Sequence, residues 1–117
     1  MNINKIFYLS TCSTCKEILK SIKNLTDFEL IDIKKQNISE QELDELYSKT
    51  KSYEFLFSKK SRNYSSVKTT IQNDEDFKKL ILSDYTFLRR PVICYGNELF
   101  VGNDKLTKEK IKEVLGS

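Results

Sequence analysis

Apolar positions along this chain switch between short continuous runs and a spacing near that of an α-helix, and those switches predict its elements. Ile6-Phe7-Tyr8-Leu9 is an apolar and aromatic run that reads as a buried strand. Ser10-Thr11 breaks it, and Ile18, Leu19, Ile22 and Leu25 then recur at helical spacing, which predicts a helix over roughly 13–24. Phe28-Glu29-Leu30-Ile31-Asp32-Ile33 follows as a second strand, alternating toward its end. Strand, helix and strand in so short a stretch make a βαβ unit, which implies a parallel pair joined by a right-handed crossover.

The middle of the chain changes character. Ser39 with Glu42 forms a Ser-x-x-Glu capping box ahead of Leu43, Leu46 and Tyr47. Tyr53 to Phe57 is a short aromatic segment read as helical, and Asn73 can cap another helix that buries Phe77, Leu80 and Ile81. Residues 37–86 therefore read as a helical insert, because about 50 residues bury too little surface to stand alone. Strands return with Pro91-Val92-Ile93-Cys94-Tyr95, a turn at Gly96-Asn97, and Leu99-Phe100-Val101 running back antiparallel. Thr107 is read as the cap of a final helix with Ile111, Val114 and Leu115 on one face, ending at Gly116. The expected architecture is α/β: one domain over residues 1–117, ordered β-α-β, helices, β-β-α, with a mixed four-stranded sheet.

Composition narrows the function classes. A chain of 117 residues fits one domain. Charged residues make up 32% and leave a net charge of +3, with Lys34-Lys35, Lys59-Lys60 and Lys78-Lys79 scattered beside acids rather than gathered into a stripe. Direct nucleic-acid binding is not expected from such a pattern. No run approaches the ~20 apolar residues that cross a bilayer, so no membrane partner is expected. Met1 to Leu9 enters a strand pattern without an apolar leader or a cleavage site, and three cysteines are an odd number. The expected compartment is the reducing cytoplasm, where a close cysteine pair is redox-active more often than structural.

Cys12-Ser13-Thr14-Cys15 is that pair. The pattern places Cys12 at the mouth of the first helix, where unpaired backbone N–H groups and the positive end of the helix dipole favour thiolate over thiol. Cys15 follows one turn later, spaced to attack an adduct on Cys12 and release the product. A metal site and two inert buried cysteines are the alternatives; zinc wants four ligands, whereas the chain has no histidine and Cys94 as its only other cysteine. The lack of histidine also excludes cysteine-protease chemistry. Cys94, in an apolar strand, reads as a small buried hydrophobe, with a distant resolving thiol as the other possibility. Of the 20 basic residues only Arg62, Arg89 and Arg90 are arginines. A guanidinium fork suits an oxyanion, and the competing reading is pairing with acids such as Glu54 or Asp84. Pro91, the sole proline, opens a strand, an ordinary place for it.

Thr11-Cys12-Ser13-Thr14-Cys15-Lys16 after a first strand, Ser61-Arg62 in mid-chain and Arg90-Pro91-Val92-Ile93 together resemble the arsenate reductase-like (ArsC/Spx) family over essentially the whole chain. The resemblance implies a thioredoxin-like fold with an added helical lobe and a cis Pro91 that places backbone beside the reactive cysteine. It implies that Cys12 is the nucleophile and that Arg62 and Arg90 bind the oxyanion. The reductase branch carries a third arginine after the last strand pair, where Val101-Gly102-Asn103-Asp104-Lys105 offers only Lys105. Cys15 resembles instead the redox-switch branch, Spx. That branch contacts the RNA polymerase alpha subunit partly through a lobe glycine, and glycine here stands only at 96, 102 and 116. The implied function is a thiol-dependent oxidoreductase in which Cys12 and Cys15 reduce an oxidised or oxyanion-bearing small molecule or a disulfide. No bound cofactor or metal is implied, and electrons would come from thioredoxin, glutaredoxin or glutathione. The alternatives are a redox-sensing regulator bound to RNA polymerase and a non-catalytic family member.

Overall fold

The computed structural model describes residues 4–116, which form two compact units: residues up to Gln36 together with those from Arg90 onward, and Asn37–Arg89. In the first unit, β1 (Lys5–Tyr8), α1 (Ser13–Lys20) and β2 (Glu29–Asp32) make the βαβ unit, with β1 and β2 parallel. β3 (Val92–Tyr95) and β4 (Glu98–Val101) complete a four-stranded mixed sheet in the order β2-β1-β3-β4. β3 runs antiparallel to both neighbours, with Phe7 opposite Val92 and Ile93 opposite Phe100. The hairpin closes on Gly96-Asn97, and Gly96 takes φ +58°, a left-handed conformation that glycine alone adopts without cost.

One core holds this unit together. Ile6 and Ile93 of the central strands, Ile18 and Leu19 of α1, Phe28, Phe100, and Ile111 and Leu115 of α6 (Lys105–Leu115) pack as one cluster. Burial of side chains this size stabilises the fold by about 1.5–3 kcal/mol each, so the two helices are held chiefly by their apolar faces.

Several boundaries differ from the sequence pattern. α1 stops at Lys20 rather than near residue 24, because Ser21 turns back on the helix: its Oγ and its N–H both donate to the Ile18 carbonyl, at 2.6 and 3.0 Å. A serine that bonds backward in this way competes with continuation of the helix. Ile22 leaves the helix and bridges Gly116 instead, where a Cβ would lie 2.2 Å from the Lys112 carbonyl oxygen. α6 is capped by Asp104, not Thr107; Asp104 accepts from the Thr107 N–H and hydroxyl, at 3.3 and 2.6 Å. Val114 is 45% exposed and lies off the buried face that Ile111 and Leu115 define. Cys94 is half-buried rather than fully buried.

The second unit is helical: α2 (Glu40–Thr50), α3 (Tyr53–Leu56), α4 (Tyr64–Val67) and α5 (Asp74–Ser83). Ser39 and Glu42 form the reciprocal capping box on α2, and Asn73 caps α5 by accepting from the Asp76 N–H. Phe57 is the hub, packed on Phe77 and Phe87 with ring centroids 5.0 and 5.1 Å away. Aromatic contacts at such distances add to the area buried. Leu80, read as part of the α5 stripe, is half-buried, while Phe77 and Ile81 carry the packing.

Candidate redox site at the mouth of the first helix

Three residues, Leu9, Ser10 and Thr11, connect β1 to the helix that carries both cysteines. The Cys12 N–H donates to the Leu9 carbonyl at 3.0 Å, which closes a tight turn and delivers Cys12 as the N-cap of α1 in extended conformation, φ −96° and ψ 112°. Its carbonyl accepts from the Lys16 N–H, so the helix begins at this residue. No acidic residue lies in the first turn, and nothing there offsets the positive end of the dipole.

The two sulfurs meet different surroundings. Cys12 is partly exposed, and Cys15 is fully buried. Partial burial pushes the Cys12 thiol up, but the N–H of Cys15, the Cys15 thiol, the N–H of Thr14 and the positive charge of Arg90 outweigh it, so its pKa falls below the ordinary 9.0. The Cys12 side chain makes no full capping bond with the neutral thiol, and the helix-mouth N–H groups act by favouring its thiolate. Cys15 goes the other way. Burial dominates and, with the charge of Cys12, pushes it up to about 12 against the Leu9 backbone and Arg90. All three cysteines are thiols in this structure.

The charge of Arg90 acts on both cysteines. Arg90 stands two residues before Val92, which pairs with Phe7 near the end of β1. The Arg90–Pro91 bond is cis, and Pro91 is buried at the start of β3. The Arg90 carbonyl accepts from Asn103 Nδ2 at 3.2 Å and the Pro91 carbonyl from the Gly102 N–H at 2.9 Å, which anchors this corner to the end of β4.

Cys12, Cys15, Arg90 and Pro91 thus belong to the first unit, and Arg62 to the second. Arg62 is exposed on a turn whose flanks are pinned: Ser61 Oγ donates to Thr86 Oγ1 at 2.9 Å, and Asn63 Nδ2 donates to Asp84 Oδ2 at 2.8 Å. Burial raises the Asp84 carboxyl, but the N–H and hydroxyl of Thr86, Asn63 and the Arg62 charge bring it below the ordinary carboxylate value. Glu54, the other acid that could pair with an arginine, pairs with Lys59 at 2.6 Å. Arg89 donates to the Phe55 carbonyl at 3.0 Å and lies over that ring, 5.1 Å from its centroid.

Asp32 is the residue at this site that the sequence pattern did not single out. It is 9% exposed, and its Oδ1 accepts from the N–H groups of Ser10 at 3.3 Å and Lys34 at 3.2 Å. A polar residue at the buried end of a strand was the available signal. Among the described residues, no three potential metal ligands converge and no helix is long and apolar enough to cross a membrane.

This sheet order and the helix-mouth cysteine pair define a thioredoxin-like fold. The model of the ArsC family matches residues 7–112, and the chain belongs to that family. Among solved structures, an arsenate reductase from Vibrio cholerae superposes with a TM-score of 0.74 at 16% identity, covering 97% of this chain and 98% of the other. An arsenate reductase (ArsC) related protein from Brucella melitensis gives 0.65 at 20% identity over 92% of each chain. A protein from Staphylococcus aureus gives 0.69 at 21% identity over 92% of this chain and 97% of its own. These likenesses establish the fold. No curated protein matches the chain in sequence closely enough to count as a relative.

Proposed function

We propose that the protein is a thiol-dependent oxidoreductase, similar to arsenate reductases, that acts through Cys12 and Cys15. The observation that carries this reading is the pairing of a partly exposed Cys12 at the helix mouth with a fully buried Cys15 one turn on. Cys12 would attack as thiolate, since thiolate is the reactive form and its position favours that form. With a disulfide substrate, the Cys12 sulfur bonds to one substrate sulfur and the other leaves as a thiol. Cys15 then loses its proton and attacks the Cys12 sulfur, giving a Cys12–Cys15 disulfide and releasing the second reduced half. Two electrons from thioredoxin, glutaredoxin or glutathione return the pair to thiols.

Arg90, whose charge already acts on both cysteines, would hold an anionic group of the substrate beside Cys12. Arg62, in the helical unit, would offer a guanidinium fork of its own to an oxyanion. The substrate class is an oxyanion-bearing or oxidised small molecule, or a disulfide. A coupled turnover assay tests the reading, with arsenate and small disulfides as substrates and the thioredoxin, glutaredoxin and glutathione systems supplied in turn. Turnover with one donor that disappears in Cys12→Ser supports it; no turnover with any pairing removes the enzymatic reading.

A further inference from the structure

In a parallel ladder the hydrogen bonds step evenly along both strands. Between β1 and β2 they continue to the Ile33 N–H, which donates to the Tyr8 carbonyl at 2.9 Å. The next rung would run from the Ser10 N–H to the Ile33 carbonyl. It does not form, because β2 turns away: the Asp32 carbonyl takes the N–H groups of both Lys35 and Gln36, each at 3.0 Å. The Ser10 N–H donates to Asp32 Oδ1 instead. The same oxygen accepts from Lys34, so one side-chain atom joins the end of β2 to the segment that leads into Cys12.

From this geometry we infer that Asp32 is a positioning residue for the reactive thiol: its carboxylate replaces the missing rung of the sheet and fixes the Ser10-Thr11 segment that sets Cys12 at the helix mouth. The inference rests on the proposed role of Cys12. Two further features favour it. Leu9, directly before the clasped Ser10, accepts the Cys12 N–H, and its own backbone acts on the Cys15 thiol, so displacement of this segment reaches both cysteines. The other carboxylate oxygen, Oδ2, is buried and has no hydrogen-bond partner among the described residues. A buried carboxylate satisfied on one side is costly in a fold that an apolar residue would serve more cheaply. The Ser10 hydroxyl and N–H, the Lys34 N–H and the charge of Lys35 keep Asp32 ionised despite the burial that opposes it.

Charge and position act on Cys12 with opposite signs, and this makes the idea testable. Removing a nearby negative charge lowers a thiol pKa, whereas moving Cys12 away from the N–H groups of Thr14 and Cys15 raises it. Iodoacetamide alkylation of Cys12 would be followed against pH in the wild type, Asp32→Asn and Asp32→Ala, with peptide mapping by mass spectrometry. Asn keeps the acceptor without the charge, so its midpoint should stay near that of the wild type or fall. Ala loses the clasp, and its midpoint should rise by about one unit, an approximately tenfold loss of rate near neutral pH. An Ala variant that alkylates like the wild type, or one that shifts downward with Asn, overturns the positioning role. Hydrogen exchange of the Ser10 amide in the wild type and Asp32→Asn covers the case in which the Ala variant does not fold. Protection in both is expected, and exchange at the rate of an open amide in the wild type overturns the inference. A wild-type Cys12 with an ordinary midpoint would instead count against the proposed function, whatever the variants do.

Discussion

The thiols of Cys12 and Cys15 stand one helical turn apart with opposite proton affinities: the helix-mouth N–H groups and Arg90 draw Cys12 below 9.0, and burial lifts Cys15 to about 12. One short helix start therefore holds one thiol drawn toward its thiolate and one held protonated. The difference comes from position, since Cys12 caps the helix while Cys15 lies inside its first turn.

The first consequence concerns selective alkylation. A thiol reacts through its thiolate, so a lowered pKa brings reactivity in below pH 9, and a raised one delays it toward pH 12. At pH 7, iodoacetamide should modify Cys12 at least about tenfold faster than Cys15, since about three units of separation give about a thousandfold in thiolate fraction, of which the weaker intrinsic nucleophilicity of the more acidic thiolate offsets part. Quantifying the two modified residues by mass spectrometry over pH 5–10 checks this; equal rates contradict it.

Mild oxidation should join the same two residues. One helical turn places their Cα atoms near the range of about 4.4–6.8 Å that a disulfide spans. Cys94 lies opposite Lys5 and Leu99 on the sheet, away from that turn in sequence and register. Peptide mapping after dilute peroxide should show a 12–15 crosslink that dithiothreitol reverses. A dominant bridge to Cys94 would contradict the arrangement.

Anion binding should depend on the forked shape of the arginines as well as on their charge. Hydrogen bonds to charged groups contribute roughly 1.5–3 kcal/mol each, and Arg→Lys keeps the charge while losing the fork. Calorimetric titration of sulfate should give millimolar binding, about −4 kcal/mol, that weakens by about tenfold or more in Arg90→Lys. Unchanged affinity in that variant would leave a cysteine pair without an anion site.

Much of this fold was legible because local chemistry and tertiary packing agree. The capping box at Ser39 and Glu42, the Asn73 cap and the Gly96-Asn97 turn are short-range devices, and each occurs where its residues predict it. The strand ends and the early stop of α1 were less visible, since Ile22 satisfies a helical period yet is used in a bridge to Gly116 almost a whole chain away. The cap of α6 fell to Asp104 over Thr107 because both residue types cap well and only the geometry of the β4 exit decides between them. In the site, the cysteine positions follow from the strand–helix pattern. Asp32 was hidden because its partner, the Ser10 N–H, lies on a neighbouring strand's exit that sequence order does not reveal.

If Cys12 attacks and Cys15 resolves, the covalent intermediate between them can be trapped. Wild type, Cys12→Ser and Cys15→Ser would each be mixed with a small aromatic disulfide and read by intact-mass spectrometry and by release of the coloured thiol. The expected result is a stable adduct on Cys12 in Cys15→Ser, full release with a 12–15 disulfide in the wild type, and neither adduct at residue 15 nor release above background in Cys12→Ser. Adduct formation or turnover that survives in Cys12→Ser would contradict it.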